Sequence, residues 1–154
     1  MIKLIDACEL AKIPVVFTVF RNLPNSPFER LLGWRNVRQT PETDLYEAII
    51  ERAAVVVEKN YYTALTDEFD RLAKMGNWET ILVCGISTES CVLKTAVDAF
   101  EKGFRPVVIS NACVSDLGHE MHAKGLDILE VLIGKNQIMT MEQILAWIDL
   151  NIDN

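Results

Sequence analysis

Two kinds of apolar pattern alternate along the chain. Segments 15–20 (VVFTVF), 53–57 (AAVVV), 80–85 (TILVCG), 105–110 (RPVVIS) and 136–140 (NQIMT) are short, mostly β-branched and apolar without strict alternation. Such runs read as strands covered on both faces, the condition of a parallel sheet. Between them, apolar positions fall at helical spacing: Leu4, Ala7, Cys8 and Ala11; Val92, Ala96, Ala99 and Phe100; Met121, Gly125, Ile128, Leu129 and Leu132; Met141, Ile144, Leu145 and Ile148. Each stripe predicts a helix with one buried face. Strand and helix in alternation predict an α/β layered domain with right-handed crossovers.

Two stretches break the pattern. Residues 21–43 contain Pro24, Pro27 and Pro41 and keep no sustained period. Loops beyond about 12–15 residues are uncommon in compact domains unless they serve a function, so this segment reads as a lid or site wall. The chain also opens directly in an amphipathic helix, with no preceding strand and no Ser, Thr, Asp or Asn cap.

Composition narrows the class. A chain of 154 residues with 50% hydrophobic and 24% charged residues is neither disordered nor fibrous, and a single domain over 1–154 buries enough surface to fold without a disulfide or metal. Fifteen basic against 22 acidic side chains leave a net charge of −7, which argues against a nucleic-acid partner and against an anionic membrane surface. No run approaches the roughly 18 apolar residues of a membrane span, and the start lacks the apolar stretch of a secretory signal. Cys8, Cys84, Cys91 and Cys113 lie apart with no CxxC pair, as expected of free thiols in a reducing cytoplasm.

In open α/β sheets, ligands bind beyond the carboxyl ends of the strands. That rule points to Arg21, Lys59, the turn after Gly85 and residues 111–115. In CGISTESCVLKTAVDAF a strand ends at Gly85, a helix begins near Thr88, and Cys91 falls in its first turn. Unpaired N–H groups and the helix dipole favour a thiolate there, and the same N–H groups suit the oxyanion of a tetrahedral intermediate. Cys91 equally fits a small, buried helix residue. Cys84 and Cys8 read as packing residues, and Cys113 is ambiguous. Lys59 either solvates the end of its strand or, beside a cysteine on the same edge, favours the thiolate and orients a base. His119 and His122 stand at i, i+3 without a third ligand; HEMH is not the HExxH zinc motif, and a helix surface is their expected place. There is no phosphate-binding glycine loop.

The block CGISTESCVLKTAVDAFEKGFRPVVISNACVS resembles the signature of the isochorismatase-like cysteine hydrolases. The shared positions are Gly85, Thr88, Cys91, Val92, Thr95, Ala96, Asp98, Ala99, Gly103, Ala112 and Ser115. Upstream, EKNYYTALTD is similar to a family segment through Lys59, Tyr62 and Ala64. The resemblance runs from about Ile2 to Ile144. It implies a Rossmann-like parallel sheet with helices on both faces, and an Asp-Lys-Cys triad hydrolysing amide-type C–N bonds. In that scheme Cys91 is the nucleophile and Lys59 the cation beside it. A cis peptide at Ile86–Ser87 would aim the amides of Ser87 and Cys91 at the oxyanion. Arg21, Phe28, Trp34 and Arg35 of the lid, with Tyr62, would bind the substrate.

The chain departs from the family pattern at three points. The family's first strand and its Asp have no counterpart, so five strands are expected where the family has six. Asn111 replaces an Asp of structural rather than chemical importance. The Asp-x-His-x-x-x-His site of the nicotinamidase branch is absent, so no metal and no other cofactor is expected, and nicotinamide is disfavoured. The missing strand is central in the order 3-2-1-4-5-6. Leaving even five of its backbone partners unpaired at about 1–3 kcal/mol each rivals the roughly 5–15 kcal/mol stability of a whole domain. The remaining strands are not expected to close the gap, and a chain incomplete at its N-terminus is the corresponding expectation; another segment or subunit filling the slot is the alternative. The function expected is a cytoplasmic, homo-oligomeric hydrolase of a small amide, ureido or related molecule through a Cys91 thioester. The competing expectation is a catalytically silent homologue that serves in binding or assembly.

Overall fold

The computed structural model describes residues 1–152. Helix α1 (Ile2–Leu10) starts with no side-chain cap, and its order comes instead from packing, with Leu4, Ile5 and Cys8 buried. Strands β1 (Phe17–Phe20) and β2 (Val56–Lys59) pair in parallel, Phe17 opposite Val56 through Phe20 opposite Lys59. Strands β3 (Thr80–Ile86), β4 (Arg105–Val114) and β5 (Ile138–Met139) form a second parallel set with β4 in the middle. The five sequence runs are thus five parallel strands, flanked by helices.

Pairing rather than apolarity sets the strand ends. The second strand starts three residues later than its apolar run and ends two later because Phe20 pairs with Lys59, so Lys59 ends the strand instead of following it. The third and fourth run on to Ile86 and Val114, which are partners across the sheet. The fifth shrinks to two residues because 135–137 wind into a 3-10 turn.

The sheet is divided where the missing strand was expected. β1 and β3 each present one edge without a ladder partner among the described residues. What joins the halves is helical packing. Helix α4 (Asp67–Gly76), capped by Thr66 and ended by Asn77 in the left-handed region, brings Phe69 and Ala73 against Ala99, Val16 and Ile81. Ala99 belongs to α5 (Leu93–Glu101) and Ile81 to β3.

Successive residues of a strand face opposite sides. Val108 of β4 lies with Val92, Ala96, Leu129 and Ile133, under α5 and α6 (His119–Ile133). Its neighbours Val107 and Ile109 turn to the other face, under α1 and α7 (Met141–Ile152), with Leu4, Cys8, Ile144 and Ile148. Asn111 anchors this second layer: its Oδ1 accepts from the Met141 N–H at 2.7 Å and its Nδ2 donates to Glu142 Oε2 at 3.1 Å. The residue in the family's Asp position therefore holds a helix start. Beside it, Thr140 and Gln143 exchange reciprocal bonds as a capping box.

Segment 21–43 contains a helix that its periodicity did not reveal, α2 (Pro27–Leu32), with Ser26 as N-cap and Gly33 closing it at φ 68°. Six residues are too few for a stripe to repeat, while Ser-Pro before and Gly after are the expected punctuation. A one-turn helix, α3 (Glu47–Ile50), precedes β2. Among the described residues no helix is long and apolar enough to cross a membrane.

Candidate active site

The carboxyl ends of β2 and β3 meet at a lysine and a cysteine. Lys59 is only 6% exposed. Its Nζ donates to the carbonyls of Tyr61 and Tyr62 at 3.0 and 2.9 Å and to Cys91 Sγ at 3.3 Å. Three acceptors match the three N–H groups of an ammonium. The Phe20 ring lies under the same atom, 5.3 Å from Nζ to centroid, a favourable place for a cation.

The turn that carries Cys91 differs from the expected helix start. β3 breaks register between Val83 and Gly85, and Gly85 takes φ 132°, open to glycine at little strain. The Ile86–Ser87 peptide is cis. Residues Thr88–Val92 then form a π-type turn, in which Ser90 and Val92 both donate to Ser87 O. Only after it does α5 begin. Cys91, a half-buried residue, therefore sits on a wider turn than an α-helix makes.

The loop after β2 is fixed from the opposite side, since Ala64 N–H donates to Thr95 Oγ1 on α5 at 2.9 Å. Thr95 thus holds the segment whose carbonyls hold Lys59. Of the expected substrate residues, Phe28, Trp34 and Tyr62 come together with Phe20. Phe28 touches Phe20, Tyr62 and Trp34 with ring centroids 5.1, 5.0 and 6.0 Å apart. This aromatic wall stands next to Lys59, with Trp34 and Tyr62 partly open to solvent. Arg21 turns to Glu58 at 2.9 Å and to the Arg38 carbonyl, while Arg35 pairs with Glu29. Both guanidinium groups are thus engaged within the protein. Ile86 is exposed at the rim, and Ser87 spends its hydroxyl on Asp116.

Burial acts on the other three thiols. It pushes the Cys84 thiol up to about 11 and the Cys113 thiol up to about 12, and raises that of Cys8. No carboxylate among the described residues is bonded to Lys59 Nζ or Cys91 Sγ. Nor do three His, Cys, Asp or Glu side chains among the described residues converge as metal donors, so the residues present do not fit a zinc site.

One expectation needs correction. His119 is exposed on α6, but His122 is not a surface residue: it is half-buried, and its Nδ1 lies 2.7 Å from Thr88 Oγ1. The expected stripe takes in Gly125 and Leu129 but turns toward the exposed Ile128 and Leu132 instead of Ile133. The buried face runs through Gly125, Leu129 and Ile133, and His122 precedes Gly125 by three residues on that same face. Phe20, Thr88 and Thr95 also belong to the site's framework. Thr88 and Thr95 stood within the recognised block, whereas Phe20 becomes visible only once its strand pairs with that of Lys59.

A parallel α/β sheet flanked by helices defines a class of fold, and the comparisons agree on that fold. The chain matches the isochorismatase domain family over residues 1–143 and belongs to that family. It is 34% identical over 129 residues to Nicotinamidase 3 of Arabidopsis thaliana, covering 77% of this chain and 63% of that protein. The crystal structure of a nicotinamidase from Bacillus subtilis superposes with a TM-score of 0.77 at 28% identity, over 89% of this chain and 80% of that one. A cysteine hydrolase from Pseudomonas syringae shares the fold, with a TM-score of 0.82 at 19% identity over 96% and 78%. The chain spans 63% of the length of each of the first curated relatives it matches.

Proposed function

We propose that this domain hydrolyses a small amide or ureido C–N bond with Cys91 as nucleophile. One observation carries the reading: the buried Lys59 ammonium donates to Cys91 Sγ at 3.3 Å, at the sheet edge where α/β ligands bind. Relatives whose names state amide hydrolysis support it. In the reaction, Sγ adds to the substrate carbonyl and the C–N bond of the tetrahedral intermediate breaks. The thiol proton ends on the departing nitrogen, leaving a thioester on Cys91. Water then cleaves the thioester, releasing the acid and restoring the thiol. The amides of Ser87 and Cys91 are assigned to the oxyanion, and Phe28, Trp34 and Tyr62 to the flat body of the substrate. Arg21 and Ile86 are assigned to the rim. The same proposal places the enzyme in the cytoplasm as a homo-oligomer; exposed Ile128, Val131 and Leu132 on α6 are compatible with contacts between copies.

A second reading, a catalytically silent binding or assembly module, is favoured by the absence of a carboxylate bonded to the pair among the described residues. Ammonia release from a panel of small amides and ureido compounds, nicotinamide included, tests both. Activity that disappears in Cys91→Ala and falls at least tenfold in Lys59→Ala is expected, since an opposite charge within about 4–6 Å favours a charged group by that much. No release from any compound, with all four cysteines alkylated equally slowly at neutral pH, supports the silent module instead.

A further inference from the structure

We infer that His122 is a positioning residue for the catalytic turn, acting through Thr88; the inference rests on the reading of Cys91 as nucleophile. Thr88 is fully buried, and its hydroxyl has one hydrogen to give. Two groups lie within bonding distance of Oγ1: the Val114 carbonyl at 3.1 Å and His122 Nδ1 at 2.7 Å. For both contacts to be hydrogen bonds, the hydroxyl must give its hydrogen to Val114 O, because a carbonyl only accepts. The imidazole must then donate, which requires the proton on Nδ1. The result is a directed chain from His122 Nδ1–H to Thr88 Oγ1–H to Val114 O, tying α6, the π-type turn and the end of β4 together.

This chain is the middle one of three ties. Ser87 is bonded to Asp116, and Ser115 Oγ donates to Glu89 Oε1 at 2.8 Å. Residues 87, 88 and 89 are thus each held by a side-chain bond to the segment 114–122, and Cys91 follows two residues later. Gly125 lets α6 come close enough for this. A Cβ there would meet Glu89 N at 3.0 Å, Glu89 Cα at 3.1 Å and Thr88 Cγ2 at 3.1 Å. The helix is seated directly on the turn, and His122, one turn earlier on the same face, supplies its polar bond. A nucleophile is useful only when its supporting shell holds it to within about 0.5 Å. Lys59 fixes the sulfur from the β2 side, and His122 fixes the turn from the α6 side.

The test combines the tautomer of His122 with the reactivity of Cys91. Nitrogen-15 NMR of the neutral imidazole should place the proton of His122 on Nδ1, and Thr88→Val should abolish that preference. Alkylation by iodoacetamide, read for each cysteine by mass spectrometry, should slow about tenfold at Cys91 in both Thr88→Val and His122→Phe, the effect of one buried hydrogen bond. The double variant should be no slower than either single one, because both remove the same link. His122→Asn should recover much of the rate, since its amide N–H can donate from the place of Nδ1. If His122→Phe does not fold, Thr88→Val and His122→Asn carry the comparison. A proton on Nε2 in the unmodified protein overturns the inference, and so does an undiminished Cys91 rate in His122→Phe or Thr88→Val. A Cys91 that labels no faster than Cys8 in the unmodified protein overturns the nucleophile reading as well.

Discussion

Four cysteines with the same intrinsic chemistry stand in different surroundings. Cys8 and Cys113 are buried, Cys84 packs against both apolar clusters of the sheet, and only Cys91 has a cation at bonding distance. From the sequence, Cys84 in a strand and Cys8 on a helix stripe were legible as packing residues. Cys113 was not, because its side depends on β4 running four residues past its apolar run. Burial of the neutral thiols makes stability depend on alkaline pH. The folded values near 11 for Cys84 and 12 for Cys113 lie above the ordinary 9.0. A group raised on folding stabilises fully below its unfolded value and loses that contribution as pH rises through the folded one. The melting temperature should therefore fall as pH climbs from about 9 toward 11–12, and Cys113→Ala should flatten that decline. An unchanged slope in the variant would show that other groups govern alkaline unfolding.

At the scale of elements, periodicity found the five strands and the helices α1, α5, α6 and α7, but neither α2, α3 and α4 nor where the elements begin and end. Strand ends follow from pairing partners far away in sequence, as with Phe20 and Lys59, which no local pattern encodes. The expected α6 stripe holds Gly125 and Leu129, which are buried, but also Ile128 and Leu132, which are exposed, and it passes over Ile133 and His122. A glycine counts as weakly apolar on any scale, yet here it marks the point of closest contact. Replacing a helical glycine by alanine normally stabilises a helix by about 0.8–1.0 kcal/mol. Gly125→Ala should do the reverse, because its Cβ would press on backbone atoms of Glu89 at 3.0–3.1 Å that cannot rotate away. A loss of about 1–3 kcal/mol is expected, measured by urea unfolding. A stabilised variant would mean that α6 can retreat from the turn without penalty.

For the whole molecule, the division of the sheet matters most. β4 is paired on both sides, while β1 and β3 are each paired on one. Hydrogen exchange should be slowest at 107–109 and faster at 17–20 and 80–83, although all three segments are apolar. Equal protection of 80–83 and 107–109 would show that the open edge of β3 is covered in solution. The sequence by itself determined the class of fold, the five strands, the gap in their order and the pairing of Lys59 with Cys91 at one edge. The fold class and the strands depend on hydrophobic period, a local property, and the edge position of Lys59 and Cys91 on short motifs, whereas the gap in the order is what the resemblance to the isochorismatase-like family implies. Only the tertiary structure decided that the two sheet halves are joined through α4 and α5, that Arg21 is held by Glu58, and that His122 reaches Thr88. Each of those is a contact between segments distant in the chain, fixed by the direction in which a side chain leaves its helix or strand and by what packs against it there.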